Sequence, residues 1–286
     1  MLANVNGTKL FFDVEGLQYV PDGPRMREKP VCFVLHGGPG GDHANFLPDT
    51  SVLADTMQLI YIDDRNCGRS ERGDISTSSR KQNAADLEAL RQYLGLDKIY
   101  ILGHSYGGMK ALQYMIDYPE HLHGVILAGT AGESGIFETA GAIVEERGTE
   151  AQKAIFKERM NGRVPYLDFM LAMGTMYHYR FDEVETRNGI LRSIKNNDVT
   201  YHQRPEMRTL NLLPDLHNVK FPVLIMCGKY DHICAPIYSE HLHEAIPHSE
   251  LHVIDECAHE VFSDRPDFVF PCIIDFVGRT FSPKAE

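Results

Sequence analysis

The sequence predicts an α/β protein: a mainly parallel sheet flanked by helices, with one helical insertion. Three observations predict it. Short apolar runs recur along the chain at Val31–Leu35 (VCFVL) and at 59–62 (LIYI), 99–102 (IYIL), 125–128 (VILA), 223–227 (VLIMC) and 251–254 (LHVI). Strands buried on both faces read as continuous apolar runs, as in a parallel sheet. Helix patterns lie between the runs, the rhythm of β-α-β units. The interval from about 131 to 222 shows no clear strand and is helical in composition. A structureless loop that long is improbable inside a compact domain, so a helical insertion is the better reading.

Taken in order, residues 8–14 (TKLFFDV) read as a strand of an N-terminal hairpin. Residues 19–30, rich in Pro, Gly and charge, read as a loop. The helix over 79–94 has apolar positions at Ala85, Leu87, Leu90 and Leu94 and stops at Gly95, a fitting C-terminal glycine. A second helix, over 106–118, stops before Pro119. A third, Pro236–Ala245, opens on proline, whose missing N–H costs little in a first turn. A fourth, over 264–277, closes the chain. The expected organisation is a core of residues 1–130 and 215–286, with a helical cap over 131–214.

The chain has 286 residues, 43% of them hydrophobic and 24% charged, which is enough apolar material for a sizeable core. The net charge of −12 argues against nucleic acid or an anionic membrane as partner, because both demand a basic surface. No stretch reaches the roughly 20 apolar residues that span a bilayer. The N-terminus lacks the basic start and apolar segment of a secretory signal. The six cysteines are scattered, with no C-x-x-C spacing. A cytoplasmic chain with free thiols is therefore the expectation.

The strongest chemical signal is Gly103-His104-Ser105-Tyr106-Gly107. An apolar run precedes it and a helix pattern follows, the context required of a nucleophile elbow. The turn is so tight that the residues two before and two after the serine must lack bulk. The second signal, His36-Gly37-Gly38-Pro39-Gly40-Gly41, directly follows the run Val31–Leu35. Acyl transfer needs two backbone N–H donors aimed at the developing oxyanion. Tyr106, after the nucleophile, supplies one; Gly38 is the candidate for the other. A phosphate loop is the rival reading, but G-x-x-x-x-G-K-[ST] is absent.

A serine nucleophile needs a base and an acid to orient that base. In such sheets the chain order is Ser, then Asp or Glu, then His. Asp231 follows the run at 223–227, and His259 follows the run at 251–254. Both thus fall on loops at strand carboxyl ends, where open parallel sheets bind ligands. His232 is the rival base, but neighbours in sequence cannot easily form the Asp–His–Ser line. Asp255 and Glu256 are alternative acids. The H-x-H pairs, His121/His123 and His241/His243, lack the further ligands of a hydrolytic metal site, so no metal and no cofactor are expected. Cys234 and Cys257 read as small packing residues.

Together these residues resemble the α/β-hydrolase fold superfamily, and within it the proline iminopeptidase-like branch. That branch shows a His-Gly-Gly-Pro-Gly loop, here His36 to Gly40. It shows an Asp-x-Arg-x-x-Gly-x-Ser segment, here Asp64-Arg65-Asn66-Cys67-Gly68-Arg69-Ser70. It also shows Gly-x-Ser-x-Gly-Gly, here Gly103 to Gly108. The likeness covers about 1–130 and 215–280. It implies a mainly parallel eight-stranded sheet, with a helical cap after the sixth strand. It also implies a serine hydrolase acting on a small molecule or short peptide, an iminopeptidase first and an esterase or lactonase as the alternative. Relatives that open halides or epoxides carry Asp as nucleophile. A cofactor-free dioxygenase and a ligand receptor are the more distant readings on this scaffold.

Iminopeptidases hold the substrate's free amine with cap carboxylates, usually near tryptophans. This chain has no Trp; among the acids of the interval, Glu133, Glu145, Glu146 and Glu183 are the candidates. His36, Gly37, Glu133 and Tyr177 are the candidates for substrate contact. The Met and aromatic residues of the cap fit either an apolar substrate site or the cap's own core.

Overall fold

The computed structural model describes residues 1–162 and 164–283. The chain opens with two hairpins, β1 (Leu2–Val5) with β2 (Thr8–Glu15), and β3 (Tyr19–Asp22) with β4 (Arg25–Glu28). There follow β5 (Val31–Leu35), β6 (Gln58–Ile62), α1 (Arg80–Tyr93), β7 (Ile99–His104), α2 (Tyr106–Asp117) and β8 (Leu122–Ala128). Then come the helices α3 (Ile136–Arg147), α4 (Glu150–Met160), α5 (Tyr166–Tyr177), α6 (Glu183–Arg192) and α7 (Asn197–Arg208). The chain returns through β9 (Val223–Gly228), α8 (Pro236–Ala245), β10 (Glu250–Ile254), α9 (Val261–Asp264) and α10 (Pro266–Thr280).

Among the described residues, eight strands form one sheet in the order β1-β2-β6-β5-β7-β8-β9-β10. The pairs β1/β2 and β2/β6 are antiparallel, and every other pair is parallel. The central strands β5, β7 and β9 are buried at every residue, which is why they read as unbroken apolar runs. Their side chains still alternate between faces. Phe33, Leu35, Ile101, Leu127 and Ile225 pack on one face with Leu87, Leu112 and Leu242, carried by α1, α2 and α8. Cys32, Val34, Leu102, Ile126 and Leu224 pack on the other with Ile273 and Phe276, carried by α10.

Two details differ from the sequence reading. Residues 19–30 hold the small β3–β4 ribbon rather than a loop. Its strands are largely exposed, so no burial pattern marks them; the signal is the turn Asp22-Gly23-Pro24, with Gly23 at φ +63°. The closing helix is two pieces. α9 ends at Asp264, whose carboxylate accepts backbone N–H groups from elsewhere, and α10 restarts on Pro266.

Helices α3 to α7 lie between the neighbouring strands β8 and β9. They have their own apolar cluster, built on Val144, Phe169, Met170, Met173 and Met176. Met170, Met173 and Met176 are thus part of the cap's own core. The cap is tied to the sheet domain at two buried aspartates. Asp42 accepts from Ser193 Oγ and from the N–H of Ile194, both at 2.8 Å. Asp264 accepts the N–H groups of Tyr179, at 2.9 Å, and of Ala258, at 2.8 Å. No helix among the described residues is long and apolar enough to cross a membrane.

Candidate active site

Ser105 stands between β7 and α2 with φ +55° and ψ −122°, a conformation barred to most side chains. Holding a non-glycine residue there costs about 1–3 kcal/mol. Its surroundings impose it: Ser105 N–H donates to Ala128 O at 2.9 Å, and Ser105 O accepts from Thr130 Oγ1 at 2.7 Å. The flanking glycines are steric necessities. A methyl group on Gly103 would lie 2.6 Å from Gly107 O, and one on Gly107 would strike Leu35 O. Tyr106 begins α2, so its N–H is among those a helix leaves free at its N-terminus.

The glycine loop after β5 faces the serine. A Cβ on Gly37 would stand 3.0 Å from Ser105 Cβ, and Gly38 has φ +49°. Gly37, Gly38, Ser105 and Tyr106 share the wall of one cavity of about 580 Å³ beneath the cap. His36 does not line that cavity. It is fully buried, with Nδ1 3.1 Å from Gly37 O and Nε2 accepting the N–H of Asp64 at 3.3 Å. Burial, and then the ammonium of Lys110, hold it neutral. These contacts brace the loop, and His36 stands off the cavity wall where it was expected to meet substrate. The Asp64–Arg65 segment is likewise structural: Asp64 pairs with buried Lys110 at 2.7 Å, and Arg65 grips Asp86 through two nitrogens at 2.6 and 2.7 Å.

Asp231 and His259 come from the loops after β9 and β10. His259 Nδ1 lies 2.8 Å from Asp231 Oδ2, with both residues buried. Asp231 Oδ1 accepts the N–H groups of Ile233 and Cys234, each at 2.8 Å, which fixes the carboxylate's orientation. Burial opposes charge on His259, but the Asp231 carboxylate and its hydrogen bond outweigh it, and the imidazole pKa is raised. His259 and Ser105 line the same cavity.

The rivals stand elsewhere. His232 Nδ1 contacts Met176 Sδ. Asp255 pairs with Lys229, and Glu256 with Arg180, on the surface. Cys234 and Cys257 are buried, and burial pushes their thiols up, so they stay protonated. Of the proposed substrate contacts, Gly37 and Tyr177 line the cavity. Glu133 does not; it pairs with His241. Glu145, Glu146 and Glu183 are largely exposed and also lie off the cavity wall. Among the described residues, no three His, Cys, Asp or Glu side chains are grouped to hold a metal.

Several residues at the site escaped sequence reasoning. His104, inside the elbow motif, places Nε2 3.0 Å from His259 O, with the two rings 4.9 Å apart. Glu260, next to His259, also lines the cavity. Burial would raise its carboxyl, but His104, His178 and His259 hold it below its ordinary range. Position beside a motif was the available signal for both. Arg159, Lys195 and Arg204 reach the cavity from the cap, and no motif marks them.

A family model for the alpha/beta hydrolase fold matches residues 30–266 of the chain. A proline iminopeptidase of Lactobacillus helveticus is 28% identical over 256 residues, covering 84% of this chain and 87% of that one. The proline iminopeptidase PfmaB of Pestalotiopsis fici is 29% identical over 276 residues, covering 91% and 95%. The crystal structure of a proline iminopeptidase from Mycobacterium smegmatis superposes with a TM-score of 0.79 at 16% identity, covering 98% of each chain. With the elbow, the facing glycine loop and the family match in agreement, the chain belongs to the α/β-hydrolase fold family and resembles its proline iminopeptidases.

Proposed function

We propose that this hydrolase cleaves a small ester or amide through an acyl-enzyme on Ser105. The observation that carries the reading is the Asp231–His259 hydrogen bond, together with the cavity wall His259 shares with Ser105. Ser105 Oγ attacks the carbonyl carbon while His259 takes its proton. Asp231 holds the imidazole tautomer and stabilises its charged form. The N–H groups of Gly38 and Tyr106 receive the oxyanion; loss of one such donor costs about 10²–10³ in rate. His259 then protonates the leaving group, and water releases the acyl group by the same route.

The names of the relatives support an aminopeptidase of the iminopeptidase kind. Its substrate's free amine needs a carboxylate, and Glu260 is the acid inside the cavity that could meet it. A second reading, an esterase or lactonase, is favoured by the cap: its anticipated acids point elsewhere, and Arg159, Lys195 and Arg204 line the cavity. Steady-state hydrolysis separates the two. The substrates are a prolyl arylamide with a free amine, its N-acylated counterpart, an aryl ester and an acyl lactone, each run with wild type and Ser105→Ala. Strong preference for the free amine identifies the aminopeptidase; indifference to it identifies the esterase or lactonase. Equal, negligible rates for both proteins on every substrate overturn the hydrolase mechanism.

A further inference from the structure

The charges that face the cavity sort by depth. Asp49, Asp182, Glu185, Arg180 and Arg192 are exposed and form a mixed rim. The interior holds Arg159, Lys195, Arg204 and one carboxylate, Glu260. Glu260 is surrounded by His104, His178 and His259. Arg159 and Lys195 instead flank Tyr166: Lys195 Nζ lies 4.1 Å from the ring centroid, and the Arg159 guanidinium 5.7 Å from it. Arg159 donates to Val164 O, and Arg204 to Met160 O. Among the described residues, no carboxylate lies within ion-pairing distance of any of the three, and Lys195 Nζ has no hydrogen-bond acceptor.

The placement of Lys195 is built. Its loop, between α6 and α7, is stitched to the glycine loop on both sides. Ile194 N–H donates to Asp42, Asn196 N–H to Gly40 O at 2.7 Å, and Thr200 Oγ1 to Pro39 O. The result sets Nζ 3.1 Å from where a Cβ on Gly38 would stand, beside the proposed oxyanion donor. Burial, and then the charge of Arg159, push the Lys195 pKa down to about 8. The Asp42 carboxylate acts on Lys195 only at longer range and does not outweigh these two effects; an enclosed cation without an ion-pair partner is costly, and Arg159 cannot relieve the cost by losing its proton. An arriving anion offsets that cost, whereas an arriving amine adds to it.

From this arrangement we infer that the substrate is a small organic anion, a carboxylate-bearing ester or amide whose carboxylate is held by Lys195 and Arg159 next to the scissile carbonyl. The inference rests on the acyl-enzyme reading of Ser105 and adds the substrate's charge to it. It deepens the peptide reading as well as the ester reading, because a dipeptide carries its own carboxylate on the leaving group.

Matched pairs test it, each charged member beside a neutral partner. On the acyl side the pair is 4-nitrophenyl hydrogen adipate and 4-nitrophenyl hexanoate. On the leaving-group side the pairs are 4-acetoxybenzoate with phenyl acetate, and prolyl-glycine with prolyl-glycinamide. One hydrogen-bonded charge pair corresponds to a preference of about 10–100-fold in kcat/KM. We expect that preference in at least one pair, collapsing in Lys195→Met and largely kept in Lys195→Arg. The pair that shows it tells which side of the scissile bond carries the acid. Neutral substrates turned over as well as charged ones in all pairs overturn the inference and leave the hydrolase intact. So does an equal loss for both members in Lys195→Met, which makes Lys195 an oxyanion stabiliser only. If no substrate is turned over, the hydrolase reading falls. The charge is then read by calorimetric binding of adipate and 4-hydroxybenzoate to wild type and Lys195→Met: binding lost in the variant supports the anion site, and no binding to wild type sinks it.

Discussion

His259 gives a test at the scale of single residues. In the proposed mechanism His259 must be neutral to accept the Ser105 proton, and its raised pKa keeps it protonated to higher pH than an ordinary imidazole. The acid limb of kcat/KM is therefore expected above the ordinary value of about 6.5. In Asp231→Asn the stabilising charge is gone and burial remains. The limb of the residual activity moves below that value, while kcat falls by about 10⁴. A pH–rate profile of both proteins checks the direction; a limb that stays in place removes Asp231 from its role. The placing of Asp231 against His259, on one cavity with Ser105, was legible in the sequence because each residue follows a strand, and β-runs are the easiest elements to read. Lys195 and Asp264 were not. Each is one charged residue among many until the fold sets its surroundings, and those surroundings come from far along the chain, Gly38 and Tyr166 for Lys195 and Tyr179 for Asp264.

At the scale of elements, the loops carry the precision that the strands make possible. Asp264 closes α9 and serves two loops at once, the one bearing His259 through Ala258 and the one leaving α5 through Tyr179 and Arg180. Asp264→Ala leaves the buried Ala258 N–H without an acceptor, at about 1–3 kcal/mol, and frees the half-buried donors of Tyr179 and Arg180, which water can satisfy. We expect a loss of about 1–3 kcal/mol in denaturant unfolding together with a fall in kcat. Asp264→Asn, which keeps one acceptor oxygen, should lose less of both. An alanine variant with unchanged stability and rate would show that the two loops are held by other contacts. The parallel strands and the four main helices were readable because their residues face a core on a fixed period. The β3–β4 ribbon was missed for the opposite reason: both of its faces meet water, so only its turn residues distinguish it.

At the scale of the molecule, the two sheet faces hold large apolar clusters, whereas the cap rests on a smaller one. Opening free energy follows the apolar contact that opening gives up. Amide hydrogen exchange should therefore be faster across α3 to α6 than across β5, β7 and β8. Met173→Ala, by removing a fully buried cap side chain, should widen that gap. Exchange as slow in the cap as in the sheet would mean that the two open together. The cap's existence was legible as an interval without β-runs, but its inner wall was not, because which face of a short helix meets the cavity depends on how five of them pack.

The five cap helices leave after β8 and come back at β9, and those two strands lie side by side in register. The whole excursion thus departs from the sheet and rejoins it at one seam. Its length and composition can change without moving any strand past another. The proposed catalytic frame and the chamber above it are, in that sense, separate inheritances: a foreign cap that replaces α3 to α7 and keeps Thr130 is expected to leave Ser105, Asp231 and His259 where they are. What such a transplant has to bring is a matching clasp, donors that meet Asp42 at one rim and Asp264 at the other. A new lining for the chamber, and with it a new choice of substrate, would come with the graft.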